Sequence, residues 1–197
     1  MPSWPKLAYT TFVSVLIPVY WVENGPANFL WFSDVALLVT LAALWLEHRL
    51  LASAMAVSVL LLEAVWAISF ASRLLLGVDP FAMTGYMVDP QTAAITKILS
   101  GIFHVGMPAT LLWMLARCGY DPRAPWLQTA LAWVLLPATY ALTEPAQNVN
   151  WVHGFGTPPR TPLAPLGHLA ALMVLLPVLV YAPTHLVLRR LFPRELG

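Results

Sequence analysis

The stretch Leu50–Leu76 reads LLASAMAVSVLLLEAVWAISFASRLLL and decides the class of fold. It contains only two ionisable side chains, Glu63 and Arg73. A bilayer core of about 30 Å is crossed by about 20 mostly apolar residues in an α-helix. The stretch is long enough for one such crossing, so it predicts a transmembrane helix.

Five more segments meet the same criterion. They are Trp4–Val22, Asn28–Leu46, Ile95–Arg117, Trp126–Thr143 and Leu166–Phe192. We therefore predict an all-α polytopic transmembrane bundle of about six helices. Because the six segments leave no room for a soluble domain, residues 1–197 are expected to form a single integral membrane domain. The first segment is interpreted as a retained helix, since no small-residue cleavage site follows it.

Composition excludes several other classes of protein. Hydrophobic residues make up 59% of the 197 residues and charged residues 10%, whereas a soluble domain carries about 25% charge. High hydrophobicity argues against disorder, and a net charge of +1 argues against nucleic-acid binding, which needs a basic patch. The single cysteine, Cys118, allows no intramolecular disulfide and no cysteine-based metal motif.

The distribution of Lys and Arg predicts the orientation in the membrane. With the N-terminus inside, the cytoplasmic side holds Lys6, Arg49, Arg117, Arg123, Arg189, Arg190 and Arg194. The outer side holds only Arg73, Lys97 and Arg160. We therefore expect both termini to be cytoplasmic. The expected location is the bacterial inner membrane.

The loops on the outer side are longer than those on the cytoplasmic side. Residues 78–94 contain Asp-Pro twice, and residues 144–165 are polar and rich in Gly and Pro. Long loops on a rigid scaffold often carry functional residues. The outer side is therefore where a functional site is expected.

Ionisable side chains inside the predicted spans are costly and therefore suggest function. They are Asp34, Glu63, Arg73 and His104. From the rise of an α-helix, Asp34 lies roughly 9 Å and His104 roughly 13 Å below the outer ends of their helices. Together with a cluster of Tyr140, Thr143 and Glu144 on the fifth span, they predict a cavity that opens outward between four helices, with His153 and His168 at its rim.

These residue types suggest acyl-transfer chemistry. A serine hydroxyl becomes a good nucleophile when a base takes its proton, and histidine is suited to that task. We assign Ser33 as the nucleophile, His104 as the base and Asp34 as the carboxylate that orients the imidazole, a role that Glu63 is also able to fill. The predicted substrate-binding residues are Glu63, Arg73, Tyr140, Asn148, Asn150 and Trp151. The chain has no Gly-x-Ser-x-Gly motif.

Each of these residues also has a structural interpretation. Glu63 and Arg73 as a buried ion pair would only fix helix packing. His104 would bond a carbonyl freed by Pro108, and Asp34 would accept from Ser33 or from a Trp indole. The cluster on the fifth span would be interfacial.

Two other functions, metal binding and transport, are alternatives to acyl transfer. A metal site would draw on His104, His153, His168, Asp34 and Glu144, but their spacing fits no metal motif. No metal and no other cofactor is therefore predicted. Transport would suit kinked helices with buried charges, although no inverted repeat is visible in the sequence.

Five stretches carry a resemblance to known proteins. They are NFLWFSDVAL (residues 28–37), FHVGMP (103–108) with GYDPR (119–123), NVNWVHGFGTPP (148–159) and VYAPTH (180–185). With them the chain resembles a family of uncharacterised bacterial membrane-associated proteins. This resemblance covers most of the chain after the first span.

A more distant similarity is to two groups of six-helix intramembrane lipid enzymes. One is the acyltransferase group of ether-phospholipid remodelling, whose His-Leu-Cys-Asp-like motif corresponds to residues 31–34, with Ser33 in place of the cysteine. Its Phe-x-x-His helix is matched by Phe103-His104 and its Asn-Tyr loop by residues 148–151. The other is the androgen-inducible fatty-acid-ester hydrolases, whose threonine falls at Trp31 and whose histidine falls at or next to His104.

The resemblance implies an inner-membrane lipid acyl hydrolase or acyltransferase. The alternative is a non-enzymatic protein, either a small-solute permease or a lipid-binding scaffold. The expected partner is membrane lipid and not nucleic acid, and the sequence leaves the oligomeric state open.

Overall fold

The computed structural model describes residues 1–156 and 158–193. Within these residues the chain forms seven helices. They are α1 (Ser3–Glu23), α2 (Phe32–Leu46), α3 (Arg49–Leu76), α4 (Gly85–Val88), α5 (Ala94–Cys118), α6 (Ala124–Leu142) and α7 (Pro165–Leu191). A π-helical turn, Pro177–Tyr181, interrupts α7. Two 3-10 turns, Pro26–Leu30 and Val149–Trp151, lie in the loops.

The predicted all-helical fold is confirmed for the described residues. Three helices, α3, α5 and α7, are long and apolar enough to cross a membrane. The second predicted segment is shorter than expected, because residues 26–30 form a 3-10 turn and α2 begins only at Phe32. With 15 residues, α2 rises about 22 Å.

Helix α3 lies at the centre of the bundle, where it packs against α2, α5 and α6. Residues 52–59 are all buried and include mostly small side chains, such as Ala52, Ser53 and Ala56. Small residues let helix backbones approach closely. The composition of this stretch therefore explains why α2, α5 and α6 can pack closely on α3.

Contacts between distant residues define two ends of the bundle. At the first, which we name the terminal end, the N-terminal ammonium and Lys6 Nζ both lie 2.7 Å from Glu47 Oε1. The α5–α6 loop joins the same end, because the backbone N–H of Tyr120 donates to the carbonyl of Phe192 at 3.0 Å. The α1–α2, α3–α5 and α6–α7 connections lie at the other end, which we name the cavity end.

A buried carboxylate organises the terminal end. Asp121 Oδ2 accepts hydrogen bonds from Arg123 at 2.9 Å and from Arg49 at 3.3 Å. The N–H of Asp121 donates to Ser53 Oγ on α3 at 2.9 Å. The hydrogen bonds from the Arg123 side chain outweigh the opposing effect of burial and lower the pKa of Asp121 to about 2. Asp121 therefore ties the α5–α6 loop to α3.

We predict that Asp121→Asn destabilises the protein by about 2 kcal/mol near neutral pH, since hydrogen bonds to a charged group are lost. The pKa of Asp121 is lower in the folded protein than its ordinary 3.8. Its stabilising contribution is therefore complete above that value and is lost as the pH falls toward 2. Melting temperatures of both proteins in detergent, measured from pH 7 down to pH 2, should differ by a constant amount above pH 5 and draw together as the pH falls from 4 toward 2.

Asp89→Asn is the matched control, because Asp89 is exposed and its side chain accepts only from the nearby N–H of Gln91. It should melt like the wild type. A difference between wild type and Asp121→Asn that stays constant with pH would contradict the assigned role of the charge.

Candidate active site

A cavity of about 690 Å³ lies at the cavity end, between α2, α3, α5 and α7. Its polar lining consists of Asn24, Asn28, Ser33, Asp34, Glu63, Tyr86, Thr92, Thr96, Ser100, His104 and Asn150. The part contributed by α7 is aliphatic and consists of Leu172, Leu175, Leu176, Leu179 and Val180. The cavity therefore combines a polar part with an apolar one.

Glu63 and His104 form the central contact of the cavity. Glu63 Oε2 lies 2.6 Å from His104 Nδ1, and Glu63 is only 5% exposed. The imidazole stacks on Trp66 with ring centroids 4.2 Å apart and on Phe103 with centroids 4.7 Å apart. These contacts hold the ring with Nδ1 toward the carboxylate, which leaves Nε2 available to a ligand.

The structure corrects the carboxylate assigned to His104. The sequence favoured Asp34, but Asp34 accepts a hydrogen bond from Asn28 Nδ2 at 3.2 Å instead. Glu63 takes the contact with His104 because α3 and α5 form the most extensive helix pair in the described part of the chain. Asp34 lies on α2, at the edge of the same cavity.

Arg73 has a structural partner. Its Nη2 donates to Asp79 Oδ2 at 2.8 Å and its Nε donates to Thr84 Oγ1 at 3.1 Å. The Glu63–Arg73 ion pair is not formed, because ten residues of helix separate the two by about 15 Å. Arg73 thus fixes the α3–α5 loop and does not belong to the residues that line the cavity.

The same loop is held by the Asp79 carboxylate. Burial alone would raise the pKa of Asp79, but hydrogen bonds from Arg73 and Ser69 outweigh it and hold the pKa below its ordinary range. Thr84 contributes two more bonds, from its N–H and its hydroxyl, both at 2.9 Å. The loop that carries α4 is therefore fixed over the cavity end of α3.

Three predicted residues instead hold the α6–α7 loop. Asn148 donates from Nδ2 to the carbonyl of Gly154 at 2.9 Å. His153 Nε2 lies 3.1 Å from the carbonyl of Thr143, and its ring packs on Tyr140. Tyr140 and Asn148 therefore lie outside the cavity lining. The expected contribution of the fifth span to the cavity is not found in the described residues.

The other histidine expected at the rim has a similar role. His168 Nε2 lies 2.9 Å from the carbonyl of Trp151. The indole of Trp151 itself lines the cavity, where it packs edge-on against Trp31. His168 therefore holds the backbone of Trp151, a residue that lines the cavity.

Asn150 connects the α6–α7 loop to the start of α2. Its Oδ1 accepts the N–H of Phe32 at 3.0 Å, and its Nδ2 donates to the carbonyl of Leu30 at 2.7 Å. Asn150 adopts a positive φ of 53°, a conformation that Asn tolerates better than most residues. Its side chain caps α2 and thereby places Ser33 and Asp34 at the cavity.

Ser33 is the second residue of α2, half-buried, and lines the cavity. Among the described residues its hydroxyl has no hydrogen-bond partner. The structure thus brings Ser33, Asp34, Glu63, His104, Asn150 and Trp151 to one cavity. It leaves Arg73, Tyr140 and Asn148 outside.

A short chain of polar side chains was missed by the sequence analysis. Trp66 Nε1 donates to the Tyr86 hydroxyl at 3.2 Å, and that hydroxyl lies 2.7 Å from Ser100 Oγ. The spacing of Ser100 and His104, four residues apart on α5, is a signal that both share one face. Tyr86 lies on the four-residue helix α4, which no periodicity in the sequence reveals.

Within residues 1–156 and 158–193, no three His, Cys, Asp or Glu side chains come close enough to hold a metal ion. Four of the five residues that the sequence offers for such a site have separate partners. Glu63 binds His104, Asn28 binds Asp34, and the other two histidines bind backbone carbonyls.

Comparison of the chain with protein-family models, curated proteins and solved structures finds no match. The resemblance to lipid enzymes therefore stays a prediction. The chemistry of the cavity follows from its own side chains.

We predict that Asn150→Ala lowers the stability of the protein by about 2 kcal/mol, because two hydrogen bonds to the start of α2 are lost. Thermal melting in detergent should show a fall of several degrees. The control is Gln147→Ala, an exposed loop residue that accepts only from the N–H of Glu144, three residues away. Equal melting temperatures for the two variants would contradict the capping role of Asn150.

Proposed function

We propose that the chain is a multi-pass membrane protein that hydrolyses or transfers lipid acyl esters in this cavity, with His104 as the general base. The observation that carries the proposal is the 2.6 Å contact between Glu63 and His104 inside a cavity with a polar and an aliphatic part. The polar part suits an ester group, and the aliphatic part suits an acyl chain.

The membrane placement rests on the outer surface of the helices. Three helices are long and apolar enough to cross a membrane. On α5, Ile98, Ile102 and Val105 expose half or more of their surface, which is favourable in lipid and costly in water. In this arrangement α1 and α6 also cross, and α2 crosses together with the 3-10 turn before it.

The orientation follows from the charges at the terminal end. Lys6, Arg49 and Arg123 lie there, and Arg189 and Arg190 lie near the end of α7. Positive loops stay on the cytoplasmic side of bacterial inner membranes. The termini are therefore placed in the cytoplasm and the cavity toward the outer face.

The chemical role of the pair is that of a base and its orienting group. A carboxylate bound to Nδ1 fixes the tautomer in which Nε2 accepts a proton, and it stabilises the imidazolium that forms. Stacking on Trp66 and Phe103 restricts rotation of the ring. In this mechanism Glu63 takes the orienting role that the sequence pattern assigns to Asp34.

Ser33 is the nucleophile in the proposed reaction. His104 Nε2 takes the proton of Ser33 Oγ, the Oγ bonds to the acyl carbon, and the ester C–O bond breaks. The leaving alcohol takes the proton from His104. A water molecule then releases the acyl group as a carboxylic acid, or a second alcohol accepts it in a transfer. In the first turn of α2 the N–H of Phe32 is bound to Asn150 and that of Val35 to the carbonyl of Trp31. The N–H groups of Ser33 and Asp34, which have no acceptor within the helix, are available to the carbonyl oxygen of the ester.

A binding protein or permease is the second candidate. The observation that favours it is the lack of a hydrogen bond between Ser33 and His104 in the described residues. The Glu63–His104 contact would then fix the packing of α3 against α5, and the cavity would only hold its ligand.

The enzyme proposal predicts an activated serine. Purified protein in lipid nanodiscs should react with a fluorophosphonate probe, and Ser33→Ala and His104→Ala should abolish labelling. Glu63→Gln should slow labelling by about 10²-fold or more, because the imidazole loses its orienting charge. Labelling is measured by gel fluorescence and by peptide mass spectrometry.

Two other serines complete the design. Ser14 is exposed on α1, so Ser14→Ala should label like the wild type. Ser100→Ala tests the second cavity serine. Loss of labelling in Ser100→Ala together with its retention in Ser33→Ala would refute Ser33 as the nucleophile. Absence of labelling in folded wild type would favour the binding protein.

A further inference from the structure

The charges that line the cavity are unbalanced. Its described lining includes two carboxylates, Asp34 and Glu63, and neither Lys nor Arg. Glu63 has His104 as its partner. Asp34 has only the neutral amide of Asn28.

Asp34 is the part of the site whose contacts are incomplete. The residue is 2% exposed, and only its Oδ1 accepts a hydrogen bond, at 3.2 Å. Its Oδ2 has no partner in the described part of the chain. A buried carboxylate is stable as an anion only when it faces a cation or several donors. An anionic Asp34 therefore needs a positive group beside it, and the described lining of the cavity supplies neither Lys nor Arg.

The remaining walls suit a cation with little hydration. Eight aromatic side chains line the cavity, among them Tyr20, Trp31 and Tyr86. The faces of such rings attract ammonium groups, and aromatic cages are a known arrangement for quaternary ammonium. An ammonium group is thus the cation that this lining would recognise.

An apolar exit lies along α7. Two parts of α7, the π-helical turn Pro177–Tyr181 and the segment Ala182–Leu191, pack against α3. The first part of α7, Pro165–Leu176, packs against α6. Leu175 and Leu179 line the cavity and are also 44% and 60% exposed at the surface. The cavity therefore opens sideways between helices, where a hydrocarbon chain would continue into the surrounding lipid.

We propose that the ligand of the cavity is an amphiphile that carries an ammonium group and a hydrocarbon chain. The ammonium group lies against Asp34 and the aromatic rings, and the chain leaves along α7. The inference rests on the proposed function in one respect, because it names the substrate class of the same site. The substrate is then an acyl ester whose alcohol part bears the ammonium group, with its carbonyl beside His104.

The test compares ligands that differ only in charge. Radiolabelled dodecyltrimethylammonium is titrated into protein in nanodiscs, and binding is taken as the excess over empty nanodiscs. Its uncharged isostere, with a tert-butyl group in place of trimethylammonium, should bind at least tenfold more weakly. Choline, which lacks the chain, should also bind at least tenfold more weakly.

Variants locate the charge. Asp34→Asn should weaken binding of dodecyltrimethylammonium at least tenfold and remove the preference over the isostere. Asp89→Asn, which removes an exposed carboxylate outside the cavity, should leave both affinities unchanged. The comparison of ligands on wild type remains decisive even where Asp34→Asn does not fold.

The contrary results separate this inference from the enzyme proposal. Equal affinity for the charged and uncharged probes would overturn ammonium recognition, and choline binding as tightly as the long-chain probe would overturn the amphiphile. No binding of any probe, with fluorophosphonate labelling at Ser33 intact, would refute the inference and leave the enzyme. Charge-selective binding without fluorophosphonate labelling would support the inference and refute the enzyme proposal.

Discussion

The contact between Glu63 and His104 joins the two helices on which the rest of the bundle depends. A glutamate is costly inside an apolar helix unless it has a partner, and α3 also supplies the small residues that let its neighbours approach. Because α3 packs against α5, Glu63 gains a hydrogen-bond partner and the imidazole of His104 is held in position. The wall of the cavity and the support of the bundle are therefore the same pair of helices.

Much of the fold could be predicted because apolar segments report helices directly. Helical phase and depth also placed Asp34, Glu63 and His104 in one cavity. The sequence does not show whether Asp34 or Glu63 contacts His104. That choice depends on which helices pack together and not on the residue spacing within one helix. The partner of Arg73 was missed for a related reason: Asp79 lies in a turn, and only the folded loop brings it back to α3.

The polar side chains of the loops have roles that differ from those the sequence predicts. The side chains of Asn148, His153 and His168 contact backbone carbonyls. In a loop without regular structure, side chains must satisfy these carbonyls because no helix or sheet does so. Asn150 binds residues about 120 positions earlier in the chain. No local pattern in the sequence encodes such a contact, and α4 with Tyr86 is too short to show a period.

In the proposed mechanism Glu63 holds His104 with Nδ1 protonated and Nε2 free to accept a proton. Nitrogen-15 NMR of protein labelled at histidine, in nanodiscs at neutral pH, reads the protonation of each ring nitrogen directly. We expect a protonated Nδ1 with a strongly downfield proton for His104, and loss of that signal in Glu63→Gln. A neutral His104 protonated at Nε2, or a spectrum unchanged by Glu63→Gln, would contradict it.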